Sequence, residues 1–188
     1  AYVAGPYLPA DGALRGAPLD RRQGEVEHHV GVVELVAHGA GEGAQRGEAF
    51  GTEEQKKKYL PKLASGEWIG AFGLTEPNAG TDSSAQQTTA VLDGEEWVLN
   101  GNKIFITNAG YAELYLIIAM TDKSQGNRGI SAFLVEASTP GFCVGKKELK
   151  MGIRGSATAE LIFDNCRIPK GNLLGQVGRG FRIAMKTL

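Results

Sequence analysis

The dipeptide Asp93-Gly94 lies between two runs of strand-forming residues, Gln86 to Leu92 and Glu96 to Asn100. Asp-Gly supplies the positive φ angles of a tight hairpin turn, so this stretch predicts two antiparallel strands joined at residue 94. The same texture continues on both sides. Glu67 to Thr75 is a run of small and apolar residues, and Asn100-Gly101 predicts a turn before Lys103 to Thr107. Glu113 to Thr121 is apolar, Asp122 to Gly129 is a polar turn, and Ile130 to Glu136, Phe142 to Lys147 and Ala159 to Ile168 follow as strands. About eight such runs with short turns predict a mainly β fold, a closed or sandwiched antiparallel sheet (a barrel or sandwich) with partial helical flanks.

The flanks have their own signals. Thr52 is a fair N-cap for a helix opening at Gly51-Thr52-Glu53-Glu54-Gln55, and Glu53 and Glu54 suit its positive end. Lys56, Lys57 and Lys58 form a solvated face, Pro61 lies near the helix end, and Ser65-Gly66 is a turn. Phe181, Ile183, Ala184, Met185 and Leu188 have helical spacing over Gly180 to Leu188.

Residues 1–50 differ in kind. They contain no Lys, Ile, Asn, Ser or Thr, but all three histidines of the chain, His28, His29 and His38. Helical periodicity is confined to Val26 to Ala37, and glycines at 39, 41, 43 and 47 oppose its continuation. Two readings stay open: a divergent or disordered lead-in, or a misread frame. The histidines lack the spacing of a metal site.

The whole chain of 188 residues holds one ordinary domain and part of a second. Its 20 basic and 21 acidic residues nearly cancel, and no basic stripe interleaves with aromatics, which argues against a nucleic-acid partner. No apolar run approaches the roughly 20 residues that span a bilayer, and the N-terminus has no signal-peptide pattern. Cys143 and Cys166 stand far apart, without neighbouring histidines, and are read as two buried thiols in a reducing compartment.

The chemistry-bearing stretch is Trp68-Ile-Gly-Ala-Phe-Gly-Leu-Thr-Glu-Pro-Asn-Ala-Gly-Thr-Asp82. Pro77 ends the preceding strand by Glu76. Gly80 permits positive φ and close approach of a ligand. Thr75, Thr81, Asp82, Ser83 and Ser84 crowd the turn with donors and acceptors, as a loop for a large polar cofactor would.

Ala71 to Asp82 resembles the first flavin-loop signature of the acyl-CoA dehydrogenases, and Lys103-Ile-Phe-Ile-Thr-Asn108 resembles their second flavin-contacting strand. Lys150 to Leu161 is similar to the family's third block. Asn172 to Phe181 is similar to the entry of its C-terminal helical domain. The resemblance covers Phe50 to Leu188 in four collinear blocks, with none before Phe50, and Phe105 points to the short-chain (butyryl-CoA) type. It implies a helical–β–helical fold: residues 1–66 a partial N-terminal helical region, 67–170 the flavin-binding β-domain, 171–188 the start of a C-terminal helical domain.

The activity implied is FAD-dependent α,β-dehydrogenation of a short-chain acyl-CoA, with electrons passed to an electron-transfer flavoprotein. Alternatives are an acyl-CoA oxidase or flavin monooxygenase on the same fold, or an inactive β-domain fragment. By the same resemblance the protein is a homotetramer, cytoplasmic in a bacterium or in the mitochondrial matrix of a eukaryote. The flavin would rest between two neighbouring β-edges. Phe72, Leu74, Thr75, Gly80 and Thr81 lie on one, Phe105, Ile106 and Thr107 on the other. Thr75 would bond near N1/O2 or N5, and Thr81 near the pyrophosphate or the substrate thioester. Read without the resemblance, Thr75 and Thr81 are turn hydroxyls bonding their own backbone, and Phe105 is a core residue. Glu76 is not the base: the family's proton-abstracting carboxylate, and its substrate-contacting Asp and Arg, would lie beyond Leu188. Arg154 and Ser156 are read as tying the third block to the sheet. Gly175 to Gly180 lacks the Gly-Lys-Ser/Thr ending of a phosphate loop and leads into a helix.

Overall fold

A computed structural model describes residues 50–187. Helix α1, Glu53–Ala64, starts in a capping box: Thr52 accepts from the Gln55 N–H, and the Gln55 side chain accepts from the Thr52 N–H. Gln55 also donates to Gly171 O at 2.7 Å and Leu173 O at 2.9 Å, which ties the helix to a distant part of the chain. Pro61 lies inside α1, in its last turn.

The strands are β1 (Gly70–Gly73), β2 (Thr89–Asp93), β3 (Glu96–Thr107), β4 (Leu114–Met120), β5 (Ile130–Glu136), β6 (Phe142–Lys147), β7 (Thr158–Pro169) and β8 (Leu173–Leu174). Helix α2, Gly180–Thr187, closes the described chain. The strands form one eight-stranded sheet in the order β6-β7-β3-β2-β4-β5-β8, with β1 on β4. The mainly β class with helical flanks is as expected. The pairing differs in that the sheet is mixed, because β1–β4 and β2–β4 are parallel. The chain reverses at Gly94 and again between β3 and β4, so β4 runs in the same sense as β2.

β4 is buried along its whole length. Tyr115, Ile117 and Ala119 join Trp97, Leu99, Phe133, Val135 and Leu161 in one core. Leu114, Leu116, Ile118 and Met120 join Tyr59 and Leu63 of α1 and Ile183 and Ala184 of α2 in the other. An uninterrupted apolar run is what a strand covered on both faces requires. β6 is an edge strand, which leaves Cys143 exposed, against expectation; only Cys166 is buried.

The turn expected at Asn100-Gly101 is absent. β3 passes straight through, with a register shift between Leu99 and Gly101 in its pairing with β7. Gly101 has φ 137°, and a Cβ there would lie 2.7 Å from Thr88 Cα. The glycine serves a bulge where two backbones meet closely, not a reversal. A second shift, between Lys103 and Ile106, surrounds Phe105, whose φ is +58°.

Candidate functional site

Between β1 and β2 the chain leaves the sheet as a loop, residues 74–88. Glu76 and Ala79 exchange backbone hydrogen bonds of 3.1 Å across Pro77-Asn78. Asp82 accepts from the backbone and hydroxyl of Ser84. The start of the loop lies beside the end of β3. Ile104 N donates to Thr75 O at 2.9 Å, and Asn108 Nδ2 donates to Gly70 O at 3.1 Å. The two edges expected to flank a cofactor are thus neighbours.

Under that junction lies a buried polar cluster. Lys103 Nζ donates to Leu74 O at 3.2 Å, to Glu76 Oε1 at 2.7 Å, and to Gln86 Oε1. All three ammonium hydrogens have partners. The Glu76 carboxylate also accepts from Gln87 N at 2.6 Å and Thr88 N at 3.1 Å. Gln86 Nε2 donates to Leu74 O and Ser83 O. The Lys103 side chain is fully buried and that of Glu76 is 1% exposed. Burial pushes the Lys103 amine down to about 8, opposed by the charge and hydrogen bond of Glu76. Burial acts to raise the Glu76 carboxyl, but Lys103 and the N–H donors outweigh it and hold it below its ordinary value. At neutral pH the pair is ionised, and the buried Glu76 carboxylate is held by three donors, two on Oε1 and one on Oε2. It braces the loop.

The predicted residues fare differently. Thr75 is half-buried, and neither its N–H nor its hydroxyl bonds any described residue. The exposed Thr81 and Thr107 hydroxyls likewise have no partner among the described residues. The turn-capping alternative for Thr75 and Thr81 is therefore not what the chain adopts. Phe105 is 59% exposed, so it is no core residue; its left-handed backbone turns the ring outward beside Ile104. Phe72 is half-buried against the helix-side core. Leu74 and Ile106 have their side chains in the two cores, so they offer a ligand only backbone. Gly80 is exposed, but its φ is not positive and nothing approaches the place of its missing Cβ, contrary to the reason given for a glycine there. In the third block, Arg154 donates to Lys150 O and Lys150 to Ser156 O, so these residues bond within their own loop and not to the sheet.

Lys103 and Gln86 were not singled out from sequence. No local signal marks them: the ion pair exists only because the loop brings Glu76 onto a strand lysine 27 residues away. Among the described residues no group of three or more His, Cys, Asp or Glu is placed to hold a metal, and no helix is long and apolar enough to cross a membrane.

The arrangement is a pair of backbone edges whose hydroxyls and several backbone N–H groups, that of Thr75 among them, have no partner among the described residues, with an outward aromatic ring. It suits a flat, acceptor-rich ligand, whose oxygens and nitrogens take the donors while its face lies on the phenyl ring.

Comparison with known proteins follows the same line. The family description "Acyl-CoA dehydrogenase, middle domain" matches residues 71–166. "Acyl-CoA dehydrogenase, N-terminal domain" matches residues 26–67. The second match corrects the expectation that no resemblance precedes Phe50, and it begins where the helical periodicity at Val26 begins. The chain is 61% identical over 138 residues to a short-chain specific acyl-CoA dehydrogenase of Clostridium acetobutylicum, covering 73% of this chain and 36% of that protein. The solved structure of butyryl-CoA dehydrogenase from Megasphaera elsdenii superimposes with a TM-score of 0.77 at 53% identity, over 84% of this chain and 39% of that one. A structure described as the electron transferring flavoprotein of Acidaminococcus fermentans gives 0.75 at 62% identity, over 76% and 38%. The chain therefore spans little more than a third of the length of these relatives.

Proposed function

The chain belongs to the acyl-CoA dehydrogenase family, and on that premise we propose that it forms the flavin-facing part of an FAD-dependent dehydrogenase of short-chain acyl-CoA thioesters. The observation that carries this reading is Thr75. Its N–H and hydroxyl have no partner among the described residues, while its carbonyl is fixed by Ile104 N. Those two donors suit the N1/O2 or N5 edge of an isoalloxazine. Phe105 and Thr107 form the facing edge, Leu74 and Ile106 contribute backbone, and Thr81 lies toward the pyrophosphate or thioester. Phe72 at the end of β1 and Gly80 in the loop have no side-chain donor to offer.

FAD supplies the hydride acceptor for the substrate β-carbon. The chain's own task is to orient and polarise. Donors fixed in advance at a flavin edge favour negative charge developing there, at no cost in reorganisation when the charge appears. Glu76 is engaged with Lys103, and by the family resemblance the α-proton goes to a carboxylate outside residues 50–187. On this reading the division into residues 1–66, 67–170 and 171–188 follows the family, with its two matched segments in support. Electrons leave to an electron-transfer flavoprotein, and the whole protein is a homotetramer.

The test is anaerobic titration of the full-length protein with butyryl-CoA, followed at the flavin absorption bands. Bleaching is expected, with slow reoxidation by oxygen. A full-length protein that purifies colourless and takes up no added FAD would refute the reading.

A further inference from the structure

We propose that Lys103 is a positioning residue for the flavin site: from inside the sheet it fixes the direction of the Leu74–Thr75 peptide, and through it the donors of Thr75. The inference rests on the flavin reading above and adds a residue that touches no ligand. A trans peptide is planar, so its C=O and N–H point opposite ways, and the described chain has no cis bonds. Leu74 O is aimed at Lys103 Nζ and Gln86 Nε2, both at 3.2 Å. The Thr75 N–H on the same plane is therefore aimed away from the cluster. The next peptide plane is fixed too, since Thr75 O accepts from Ile104 N. β3 supplies an anchor for each plane, the side chain of residue 103 for one and the backbone of residue 104 for the other, with Gln86 of the loop as a second donor to Leu74 O.

The cluster has the completeness this role needs. Lys103 reaches the first flavin-like segment at Leu74 O and Glu76 while itself belonging to the second. Glu76 extends the hold to residues 87 and 88, where the loop rejoins the sheet. Glu76 is the charged group bonded to Lys103. β1 presents Gly73 to the lysine stem, and β7 presents Leu161 opposite it. A hydrophobic pair would fill this space at less desolvation cost. A neutral pair would not hold a carbonyl by an ammonium. Directional control of one peptide is what the charge adds.

The experiment compares full-length holoprotein with the double variant Lys103→Met/Glu76→Gln, which removes both charges together and leaves no buried ion alone. Far-UV circular dichroism checks the fold. FAD affinity and the flavin midpoint potential are then measured. We expect a folded variant with FAD bound about tenfold more weakly, the worth of one misdirected hydrogen bond, and a potential moved to more negative values. Wild-type protein that binds FAD beside a folded variant with unchanged affinity and potential would overturn the role of Lys103 and leave the flavin reading standing. Wild-type protein that binds no FAD would overturn the flavin reading itself. If the variant does not fold, a pH series on wild-type holoprotein replaces it. Burial lowers the Lys103 amine from its ordinary 10.5 to about 8, and the neutral amine keeps only two hydrogens for its three acceptors, so FAD affinity should fall as pH rises through that range while the circular dichroism stays constant. A flat profile would sink the proposal. Between about 8 and the ordinary 10.5 the unfolded chain holds the proton that the folded chain has released, so this group's linkage raises stability with pH. Loss of FAD there is not unfolding by Lys103.

Discussion

Gly73 and Ile117 form a contact whose energetics follow directly from the packing. β1 lies in parallel register on β4, with Gly73 opposite Ile117. A Cβ on residue 73 would fall 2.6 Å from Ile117 Cδ1, while Lys103 Cγ and Leu161 Cδ1 would stay at ordinary distances of 3.5 and 3.6 Å. The collision in Gly73→Ala is therefore with one methyl group. That methyl ends a side chain able to rotate, but Ile117 is fully buried and a rotated Cδ1 has to displace other core atoms. Such overpacking costs about 1–2 kcal/mol. Ile117→Val deletes the offending methyl and costs about 1 kcal/mol by itself through the lost burial and small cavity. In the double variant the new Cβ occupies the space the methyl left. The pair should then cost about 1 kcal/mol, not the 2–3 of simple addition, a coupling of at least about 1 kcal/mol. Urea unfolding of the four proteins, followed by tryptophan fluorescence, measures it; Trp97 stacks edge-on against Phe133 in the same core. Additivity within about 0.5 kcal/mol would show that Ile117 does not set the limit at residue 73. The glycine would then be required for another reason.

Three further outcomes are expected. Gly129→Ala places a Cβ 1.7 Å from the Asp122 backbone oxygen, which has no rotamer by which to yield; it should cost more than about 2 kcal/mol and lower Tm by several degrees in a thermal melt. Thr52→Ala removes one half of the capping box of α1; a loss of about 1 kcal/mol is expected in the same denaturation assay, with the sheet unaffected. Burial acts to raise the Glu136 carboxyl, but hydrogen bonds from Lys58 and Tyr59 outweigh it and leave it below its ordinary 4.5. Its stabilisation is present above that ordinary value and is lost as pH falls through the folded one. Glu136→Gln should flatten the acid limb of a stability–pH profile by less than about 1 kcal/mol, and a limb of unchanged slope would exclude this ion pair as a contributor.

Particular residues explain which parts of this molecule could be read without coordinates. The bounds of Ile130–Glu136 and Phe142–Lys147 agree with those read from the chain, because turn residues flank both strands and local chemistry decides their ends. The hairpin read at Asp93-Gly94 is present, but shifted by one residue: Asp93 ends β2 opposite Glu96, and the turn is Gly94-Glu95, with Gly94 at φ +61°. Asn100-Gly101 carries the same local signal yet sits inside a twelve-residue strand. A glycine reports that the backbone there is unusual, and only the approach of Thr88 decides between a bulge and a reversal. β8 is two residues long and exists only because it pairs with Ala132 and Phe133, a partnership about forty residues away in sequence. The expected burial of Cys143 fails because whether a strand position faces inward depends on sheet edges, which hydrophobicity does not encode. The site divides in the same way. The residues proposed to contact the flavin came through family resemblance, since free hydroxyls on a loop look alike whatever they bind. Its brace did not, because Lys103 reads as one more surface charge until the loop brings Glu76 onto it from 27 residues away. A buried ion pair is a property of two segments at once. The charges that hold a loop in place are therefore harder to find from sequence than the residues the loop presents.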